Sequence, residues 1–327
     1  MSKLVTIYGG SGFVGRYIAR RLANEGWRVR VAVRRPNEAM FVRPYGAVGQ
    51  VEPVLCNIRD DASVALAMRG ADAVVNCVGV LNEIGRNEFD TVQTEGAERV
   101  ARLAAAEGVT RMVHISAIGA DAEAGSEYSR TKAQGEAGVL AHMPGAMILR
   151  PSVIFGTEDQ FFNRFAAMTR VGPFLPLVGA QTQFQPVYVD DVAKAAVQGV
   201  LGQASGGVYE LGGPEVKTFR ALMQQMLDVI NRHRIILGIP FWVARVMAGM
   251  LDIMKFASFQ LFPNNILTRD QLKNLRHDNV VSDSALGFAD LGIEPATLES
   301  VLPDYLWKFR PSGQYDDIQN SASNMRT

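Results

Sequence analysis

The chain has 327 residues, of which 48% are hydrophobic and 20% charged, so it is long enough for one large domain or for a core domain with a smaller lobe. Its 33 basic and 33 acidic residues cancel, which argues against nucleic acid as a partner. Neither the 2 cysteines, Cys56 and Cys77, nor the 4 histidines show metal-ligand spacing, so we expect buried thiols in a reducing compartment and no metal site.

The first fifteen residues predict a strand, a tight turn and a helix. An apolar run over residues 4–7 stops at a glycine-rich turn, and a helical pattern continues over residues 16–24. In such a turn the first glycines allow the sharp bend, the next lets a pyrophosphate approach the main chain, and the last leaves room between helix and strand. The helix would also point unpaired N–H groups and the positive end of its dipole at the phosphates. We therefore expect a dinucleotide at the residues that we call the glycine turn: Gly9, Gly10, Ser11, Gly12, Phe13, Val14 and Gly15.

A second strand, predicted over residues 27–33, follows at the distance expected of a βαβ unit. An NAD-selective site usually carries Asp or Glu at the end of this strand, to accept from the ribose 2′-hydroxyl. This chain has Arg34 and Arg35 there instead. A guanidinium suits a 2′-phosphate, and a charge-assisted bond of roughly 1.5–3 kcal/mol would favour NADP by about one to two orders of magnitude. Arg34 is the better placed of the two, and the alternative is a pair of solvated surface arginines.

Later strands complete the pattern of a doubly wound parallel sheet. A third strand, near residues 51–56, leads to a turn where this architecture commonly meets the adenine. The almost continuous apolar run at residues 73–78 predicts an interior strand covered on both faces, and it ends where the carboxyl ends of parallel strands face the crevice. We therefore expect further cofactor contacts at Asn57, Ile58, Cys77, Val78 and Gly79.

A tyrosine and a lysine, Tyr128 and Lys132, share one face of a predicted helix that follows a strand ending at Ser116. The ammonium group of Lys132 can hold the nicotinamide ribose and lower the pKa of the phenol from about 10. Tyr128 can then pass a proton while hydride moves, and Ser116 can orient a carbonyl group. These three residues are the candidate catalytic group, and they would also contact the cofactor.

Together these motifs resemble the short-chain dehydrogenase/reductase superfamily, in its extended or atypical branch, which implies a Rossmann-type α/β fold. Residues 149–156 and 185–192 are similar to substrate-side signatures of that branch, and the first of them adds Pro151 as a cofactor contact. The chain departs from many catalytic members at Ser116-Ala117, where those members carry a Ser-Ser or Ser-Thr pair. If Ala117 takes the catalytic position, the hydroxyl that orients a substrate carbonyl is absent. The chain could then bind a dinucleotide without the complete set of catalytic groups.

The second half of the chain loses the βα alternation and predicts a smaller, mostly helical lobe. We expect a Rossmann domain over residues 1–155, to which a helix at 189–201 returns, and a second lobe over 156–310 for docking or substrate. The polar tail over 311–327 should be disordered when the chain is free in solution, and in a large assembly it could instead lie along a neighbour. The partly helical segment 235–262 has more apolar residues than one core-facing helix needs, which indicates burial against a partner, a membrane surface or its own lobe. No stretch has the roughly 18 apolar residues of a spanning helix. The early first strand leaves no room for a targeting peptide, so we expect a soluble or peripheral protein.

Three later segments make the resemblance to a family more specific, namely residues 267–271, 277–281 and 288–292. They are similar to the nucleotide-binding accessory subunit of respiratory complex I, NADH:ubiquinone oxidoreductase, in a bacterial form. That resemblance implies a tightly bound NADPH outside the electron-transfer chain, no turnover of its own, and docking among other subunits of the peripheral arm, near the membrane. It also implies a peripheral position at the cytoplasmic face of the bacterial inner membrane. The alternatives are a free-standing NADP-dependent oxidoreductase or nucleotide-sugar epimerase that uses Tyr128 and Lys132, and a regulator that binds NADP(H) without catalysis.

Overall fold

The computed structural model of the chain describes residues 2–81, 83, 85, 88–246, 249, 268–311 and 313–315. Contacts among residues divide the chain into two compact units. The first unit is drawn from residues 1–152, 189–212 and 281–294, and the second from residues 153–188, 213–280 and 295–327. All the residues that the sequence predicts to contact a cofactor belong to the first unit.

The described strands and helices are as follows in chain order. The strands are β1 (Leu4–Tyr8), β2 (Arg28–Val33), β3 (Val51–Leu55), β4 (Ala73–Asn76), β5 (Arg111–Ile115), β6 (Met147–Pro151), β7 (Ile154–Phe155), β8 (Phe174–Val178), β9 (Gln183–Phe184), β10 (Val187–Tyr188), β11 (Gly207–Leu211), β12 (Lys217–Thr218) and β13 (Ile235–Ile239). The helices are α1 (Phe13–Asn24), α2 (Asp61–Met68), α3 (Glu95–Ala106), α4 (Glu127–His142), α5 (Phe162–Met168), α6 (Val189–Leu201), α7 (Phe219–Val229), α8 (Arg269–Asn274) and α9 (Leu298–Leu306). The segment Pro36–Tyr45 forms 3₁₀ turns, and the π turn Asp90–Thr94 leads into α3.

A seven-stranded sheet forms the centre of the first unit, in the order β11-β6-β5-β4-β1-β2-β3, and every strand pair in it is parallel. All residues of β1 and β4 are buried, as parallel strands with helices on both faces require. The strand order reverses between β1 and β4, and ligands of doubly wound folds bind at the carboxyl ends of strands at such a point. The sheet confirms the predicted Rossmann-type fold.

Helix α6 belongs to the first unit, although the chain leaves that unit after residue 152. The side chain of Arg21 on α1 donates to both carboxylate oxygens of Asp190 on α6, at 2.7 and 2.5 Å. Asp190 and Asp191 lie in the first turn of α6, where the helix dipole favours negative charge. Asp191 is fully buried and pairs with Lys194 at 2.6 Å. The Arg21–Asp190 pair holds α6 against α1, and the Asp191–Lys194 pair lies within the first turns of α6.

The second unit contains a buried carboxylate, Asp159, in a core rich in aromatic residues. Its oxygens accept backbone N–H groups of Gly156 at 3.2 Å, Phe161 at 3.1 Å and Asn163 at 3.0 Å. The hydroxyl of Tyr305 on α9 donates to Asp159 Oδ2 at 2.6 Å. Burial raises the pKa of Asp159, while these donors oppose the rise. The carboxylate therefore organises the start of α5 and joins it to α9.

The apolar segment 235–262 begins with a strand that the sequence pattern does not predict. That strand, β13, pairs in parallel with β8, and residues 241–246 after it are helical. The remainder of the segment, apart from residue 249, lies outside the described residues, and so does the predicted tail apart from residues 311 and 313–315. Within the ranges that the structure describes, no helix has both the length and the apolarity needed to cross a bilayer.

Replacement of Tyr305 by phenylalanine removes one of the donors to the buried carboxylate of Asp159. We expect Tyr305→Phe to lower the free energy of unfolding of the second unit by about 1.5–3 kcal/mol, because the lost hydrogen bond has a carboxylate acceptor. Urea denaturation followed by circular dichroism measures the difference. Tyr315→Phe is the matched control, since Tyr315 is 59% exposed, and it should change stability by less than about 0.5 kcal/mol. Equal stabilities of the two variants would contradict the role given to this bond.

Candidate dinucleotide site

The glycine turn joins β1 to α1 in a conformation that requires glycine at two positions. Gly9 has a φ of 73°, which strains any residue with a Cβ atom. A Cβ atom on Gly15 would lie 2.6 Å from both Gly10 Cα and the carbonyl oxygen of Gly9, so α1 could not approach the turn as it does. Helix α1 begins at Phe13, and its N-cap Gly12 supplies no side-chain acceptor. The first-turn N–H groups of α1 are therefore arranged for an anion such as a pyrophosphate.

The two arginines after β2 differ in their surroundings. The backbone N–H of Gly9 donates to the carbonyl of Ala32 at 3.0 Å, which puts the carboxyl end of β2 next to the glycine turn. Arg34 follows β2 directly and is exposed. Arg35 Nη1 donates to Glu38 Oε1 at 3.0 Å, and both of these side chains are mostly exposed. Arg34 is the nearer of the two arginines to the end of β2 and the glycine turn, so its position makes it the better candidate for a 2′-phosphate.

The two predicted adenine contacts after β3 differ in how deeply their side chains are buried. Asn57 is exposed, and its Oδ1 accepts the backbone N–H of Arg59 at 3.2 Å. Ile58 is only 9% exposed, and its side chain packs against Gly96 of α3. The side chain of Asn57 can therefore reach a ligand, whereas Ile58 can offer only its backbone.

The end of β4 meets α4 at the predicted contact residues. Asn76 is buried, and its Oδ1 accepts the backbone N–H of Val78 at 3.1 Å, which shapes the turn that contains Cys77. The N–H of Cys77 donates to the carbonyl of Tyr8 at 2.9 Å. Gly79 lies against Lys132 Nζ, since a Cβ atom at Gly79 would be 3.3 Å from that nitrogen. The carboxyl end of β4 therefore lies beside α4, and the predicted contacts at residues 77–79 meet Lys132, which is far away in sequence.

The candidate catalytic residues lie around the carboxyl end of β5 and the start of α4. Lys132 is 5% exposed, and its Nζ donates to the carbonyl of Ile115 at 3.3 Å. The rings of Tyr128 and Phe89 meet in a T-shaped arrangement, with ring centroids 5.9 Å apart. Ser116 is buried, and its hydroxyl has no hydrogen-bond partner among the described residues. Pro151 is also buried at the end of β6, and its carbonyl accepts the N–H of Ile118 at 3.0 Å.

The pKa values at this site are governed by burial. Burial raises the pKa of Tyr128 to about 12, so the expected lowering of the phenol pKa by Lys132 is wrong for this structure. Burial lowers the pKa of Lys132 to about 8, and the nearby carboxylate of Glu136 opposes that shift. The pKa of His114 falls to about 3, first through burial and then through the charge of Lys132. At neutral pH the site therefore holds a protonated lysine, a neutral tyrosine and a neutral histidine.

Several residues that shape the site have no signal in the sequence. Gln93 is 2% exposed and donates through Nε2 to the carbonyl of Val80 at 2.7 Å, which holds the loop after β4. Glu136, one turn after Lys132, accepts two short bonds from Arg150, from Nε at 2.9 Å and from Nη2 at 2.6 Å. Arg150 Nη1 also lies 3.6 Å from the carboxylate of Glu210. These contacts join distant parts of the chain, so no local pattern predicts them.

The residues present fit a bound dinucleotide. The glycine turn offers N–H groups to the pyrophosphate, Arg34 offers a guanidinium at the adenosine end, and Lys132 offers an ammonium group beside the backbone of Gly79. The unpartnered hydroxyl of Ser116 is a further group that a ligand could satisfy. A nicotinamide cofactor bound here would supply hydride chemistry, while the chain itself binds and orients it.

The burial of Lys132 has a cost that a pH titration can measure. Its pKa in the folded chain is about 8, below the ordinary 10.5, so the unfolded chain holds this proton more tightly. The penalty, on the order of 3 kcal/mol, is complete below pH 8 and fades as the pH rises towards the unfolded value. In nucleotide-free protein we expect Lys132→Met to raise the free energy of unfolding at pH 7, and its advantage over wild type to shrink above pH 8. Urea denaturation across this pH range is the measurement.

Lys3→Met serves as the control for this titration, because Lys3 is an exposed lysine of the same unit. Its stability difference from wild type should stay small and nearly constant over the same range. A constant difference for Lys132→Met as well would contradict the assigned cost of burial.

Comparison with known proteins identifies the family. The profile of the "NAD dependent epimerase/dehydratase family" matches residues 5–212. The chain is 35% identical over 316 residues to "NADH dehydrogenase (ubiquinone) 1 alpha subcomplex subunit 9, mitochondrial" of Arabidopsis thaliana, covering 95% of this chain and 79% of that protein. It is 30% identical over 312 residues to "NADH-ubiquinone oxidoreductase 40 kDa subunit, mitochondrial" of Neurospora crassa, covering 95% of this chain and 80% of that protein.

A solved structure supports the same type of fold. The dTDP-glucose 4,6-dehydratase DesIV from Streptomyces venezuelae, solved with NAD and TYD bound, superposes with a TM-score of 0.69 at 20% identity, over 93% of this chain and 95% of that chain. The fold is therefore of the NAD(P)-binding type, as the sequence predicts. The chain belongs to the NAD dependent epimerase/dehydratase family, and its relatives there include the mitochondrial NADH dehydrogenase subunits just named.

Proposed function

We propose that the chain is an accessory subunit of respiratory complex I, NADH:ubiquinone oxidoreductase, which binds NADPH as a structural ligand and has no turnover of its own. The observation that carries this proposal is the similarity to the two mitochondrial subunits over 95% of the chain, a length that includes both compact units. The partners are then other subunits of the peripheral arm, near the membrane. In a bacterial cell the corresponding location is the cytoplasmic face of the inner membrane.

NADPH rather than NADH is the proposed cofactor, because Arg34 stands where an acidic residue would select NAD. Arg34 directly follows β2, whose last residues are hydrogen-bonded to the glycine turn, and this position supports it as the guanidinium for the 2′-phosphate. We assign nucleotide binding to residues 1–155, to which the helix at 189–201 returns, and docking to the rest of residues 156–310. The proposed contacts are the glycine turn, Arg34, Asn57, the backbone of Ile58, residues 77–79, Ser116, Tyr128, Lys132 and Pro151.

The absence of turnover is proposed from the residues around the nicotinamide end. Ala117, which is half-buried, follows the buried Ser116 and has no hydroxyl to orient a carbonyl group. The phenol of Tyr128 has a raised pKa of about 12, so it is a weaker acid than a free tyrosine. General acid–base catalysis is most efficient when the pKa of the group lies near the working pH. Tyr128 and Lys132 can still bind the cofactor without driving a reaction.

An exposed apolar face in the second unit supports the docking proposal. In the sheet of β8 and β13, Phe174 is paired with Ile235, and Pro176 with Leu237. Phe174, Ile235 and Leu237 are 52%, 58% and 44% exposed. Large apolar side chains aligned on the open face of a two-stranded sheet are typical of a surface that a partner covers.

A group of arginines in the same unit would suit an acidic partner or an anionic membrane surface. Arg234 immediately precedes β13, and Arg170 and Arg232 lie close to it. Burial, together with the charges of Arg234 and Arg170, lowers the pKa of Arg232. A negative surface brought against these residues would relieve their mutual repulsion.

In this proposal NADPH acts through stability. A ligand that binds only the native state adds about 2.7 kcal/mol at 100 times its dissociation constant. A tightly held NADPH would therefore protect the first unit against unfolding and proteolysis during assembly.

The alternative function is a free-standing NADP-dependent oxidoreductase or nucleotide-sugar epimerase. It is favoured by the presence of Tyr128 and Lys132 one turn apart at the start of α4. Oxidation of bound NADPH by a carbonyl or nucleotide-sugar substrate, abolished by Tyr128→Phe without loss of the cofactor, would support this alternative and contradict the main proposal.

The role of Arg34 can be tested by nucleotide titration. We expect the nucleotide-free wild type to bind NADPH more tightly than NADH, and Arg34→Gln to weaken NADPH binding by about 10- to 100-fold, because a charge-assisted bond to the 2′-phosphate is lost. NADH affinity should stay nearly unchanged. Arg28→Gln is the matched control, because Arg28 is an exposed arginine at the opposite end of the same strand, and it should alter neither affinity. An Arg34→Gln variant that keeps the preference for NADPH would refute the assignment.

Assembly can be tested by co-purification from detergent-solubilised membranes, with native electrophoresis of the complex and identification of the nucleotide by mass. The wild type should migrate with complex I and carry NADPH. Leu237→Ser should weaken that association, because it places a hydroxyl on the proposed docking face, and Leu66→Ser serves as the control at a leucine of α2 that is 64% exposed. Recovery of the wild type only as a free soluble protein would end the proposal.

A further inference from the structure

Arg99 on α3 holds the main chain of the turn that follows β3. Its Nη1 donates to the carbonyl of Ile58 at 3.1 Å, across 41 residues of sequence, and its Nε donates to Asp61 Oδ1 at 2.6 Å. Only 17% of the Arg99 side chain is exposed. The planar guanidinium therefore joins the turn to Asp61, which is the first residue of α2.

The side chain of Ile58 is held by the same helix. Gly96 lies one turn before Arg99 on α3, and a Cβ atom there would be 3.2 Å from Ile58 Cγ1. This distance is shorter than an ordinary van der Waals contact, so a methyl group at residue 96 would press on the Ile58 side chain. Helix α3 thus holds Ile58 at two points, through its side chain at Gly96 and through its carbonyl oxygen at Arg99.

In the turn of residues 57–60, three of the four backbone N–H groups have acceptors. The N–H of Asp60 donates to the carbonyl of Asn57 at 3.0 Å and closes the turn. The N–H of Arg59 donates to Asn57 Oδ1 at 3.2 Å, and that of Asn57 donates to Ser63 Oγ at 2.9 Å. The N–H of Ile58 has no acceptor within the part of the chain that the structure describes. Backbone donors in folded proteins are nearly always paired, so this N–H is available to a ligand.

An N–H group at this position can distinguish one purine base from another. The turn after β3 is where we expect the adenine, whose N1 atom carries no proton and accepts a hydrogen bond. Hypoxanthine carries a proton on N1, so two donors would face each other. A site that donates to one atom of its ligand rejects an analogue that cannot accept, because a polar group is left unpaired. Since the side chain and the carbonyl of Ile58 are both held, the direction of its N–H is held as well.

We propose that Arg99 is a positioning residue of the nucleotide site, which holds Ile58 so that its N–H meets N1 of the adenine base. This inference rests on the NADPH binding proposed above and adds a residue that gives the site its selectivity for the base. Arg99 acts through Ile58 rather than on the cofactor. Its remaining nitrogen, Nη2, lies 3.7 Å from Glu95 Oε2 on its own helix.

Isothermal titration calorimetry of the full-length, nucleotide-free chain tests the proposal with NADPH and with its analogue in which hypoxanthine replaces adenine. We expect wild type to bind NADPH about 10-fold more tightly than the analogue, the effect of one unmade hydrogen bond. Arg99→Met should weaken NADPH binding by about 5- to 10-fold and change binding of the analogue by less than about 2-fold. Arg99→Lys keeps the charge but loses the fork that spans two acceptors, so its NADPH affinity should lie between the two.

Arg102→Met is the matched control on the same helix. Arg102 Nη2 donates to Asp61 Oδ2 at 2.6 Å, and no hydrogen bond joins it to residues 57–60 among the described residues. This variant therefore removes an ion pair of Asp61 and leaves the turn as it is, so it should bind both nucleotides as wild type does. Gly96→Ala is a second, independent variant that displaces the side chain of Ile58, and it should reduce the preference for adenine as well.

The outcomes separate this inference from the proposed function. If wild type prefers NADPH over the analogue and Arg99→Met keeps that preference, the inference is overturned while the proposed function stands. Equal losses of both nucleotides in Arg99→Met would assign the residue to general stability and would also overturn the inference. A wild type that binds the two nucleotides equally well would do the same. A wild-type chain that binds neither would overturn the proposed function and this inference with it.

Discussion

The contact between α1 and the glycine turn is the constraint on which the first unit depends. A methyl group at residue 15 would lie 2.6 Å from main-chain atoms of Gly9 and Gly10, so α1 can start where it does only because Gly15 has no side chain. That approach sets the direction of the first-turn N–H groups. The bond from Gly9 to the end of β2 extends the same arrangement to Arg34. A single approach of backbone to backbone thus positions every group that we assign to phosphate binding.

A second constraint lies at the opposite end of the site, where charges are buried. Lys132 and Glu136 lie one turn apart on α4, and both are about 5% exposed or less. Arg150 follows at 2.6 Å from Glu136, and Glu210 at 3.6 Å from Arg150. Buried ion pairs are weak evidence for stability, because desolvation often exceeds the attraction gained. The carboxylate of Glu136 nevertheless opposes the effect of burial on the pKa of Lys132, whose ammonium group remains charged at neutral pH beside Gly79.

Local sequence patterns predict most of the strands and helices of the first unit, because each of these elements has its own pattern of apolar residues and turn residues. The buried run at residues 73–78 predicts β4, and α6 has its predicted bounds. Two features depend on distant residues instead. The high pKa of Tyr128 follows from burial beside elements such as Phe89, and the strand β13 exists through its pairing with β8. A short apolar run such as β13 also suits a helix equally well, so periodicity alone could not assign it.

These two constraints explain why a site without turnover would be retained. In the ligand-free chain the buried ammonium group of Lys132 costs stability on the order of 3 kcal/mol, and the first turn of α1 has neither an acidic residue nor a side-chain cap. An anionic dinucleotide would bring negative charge to Lys132 and acceptors to the first-turn N–H groups at once. Its binding energy is then linked to the folding of the first unit, since the unfolded chain offers no such site. A mutation that weakens the site would be selected against through instability, whether or not any hydride is ever transferred there.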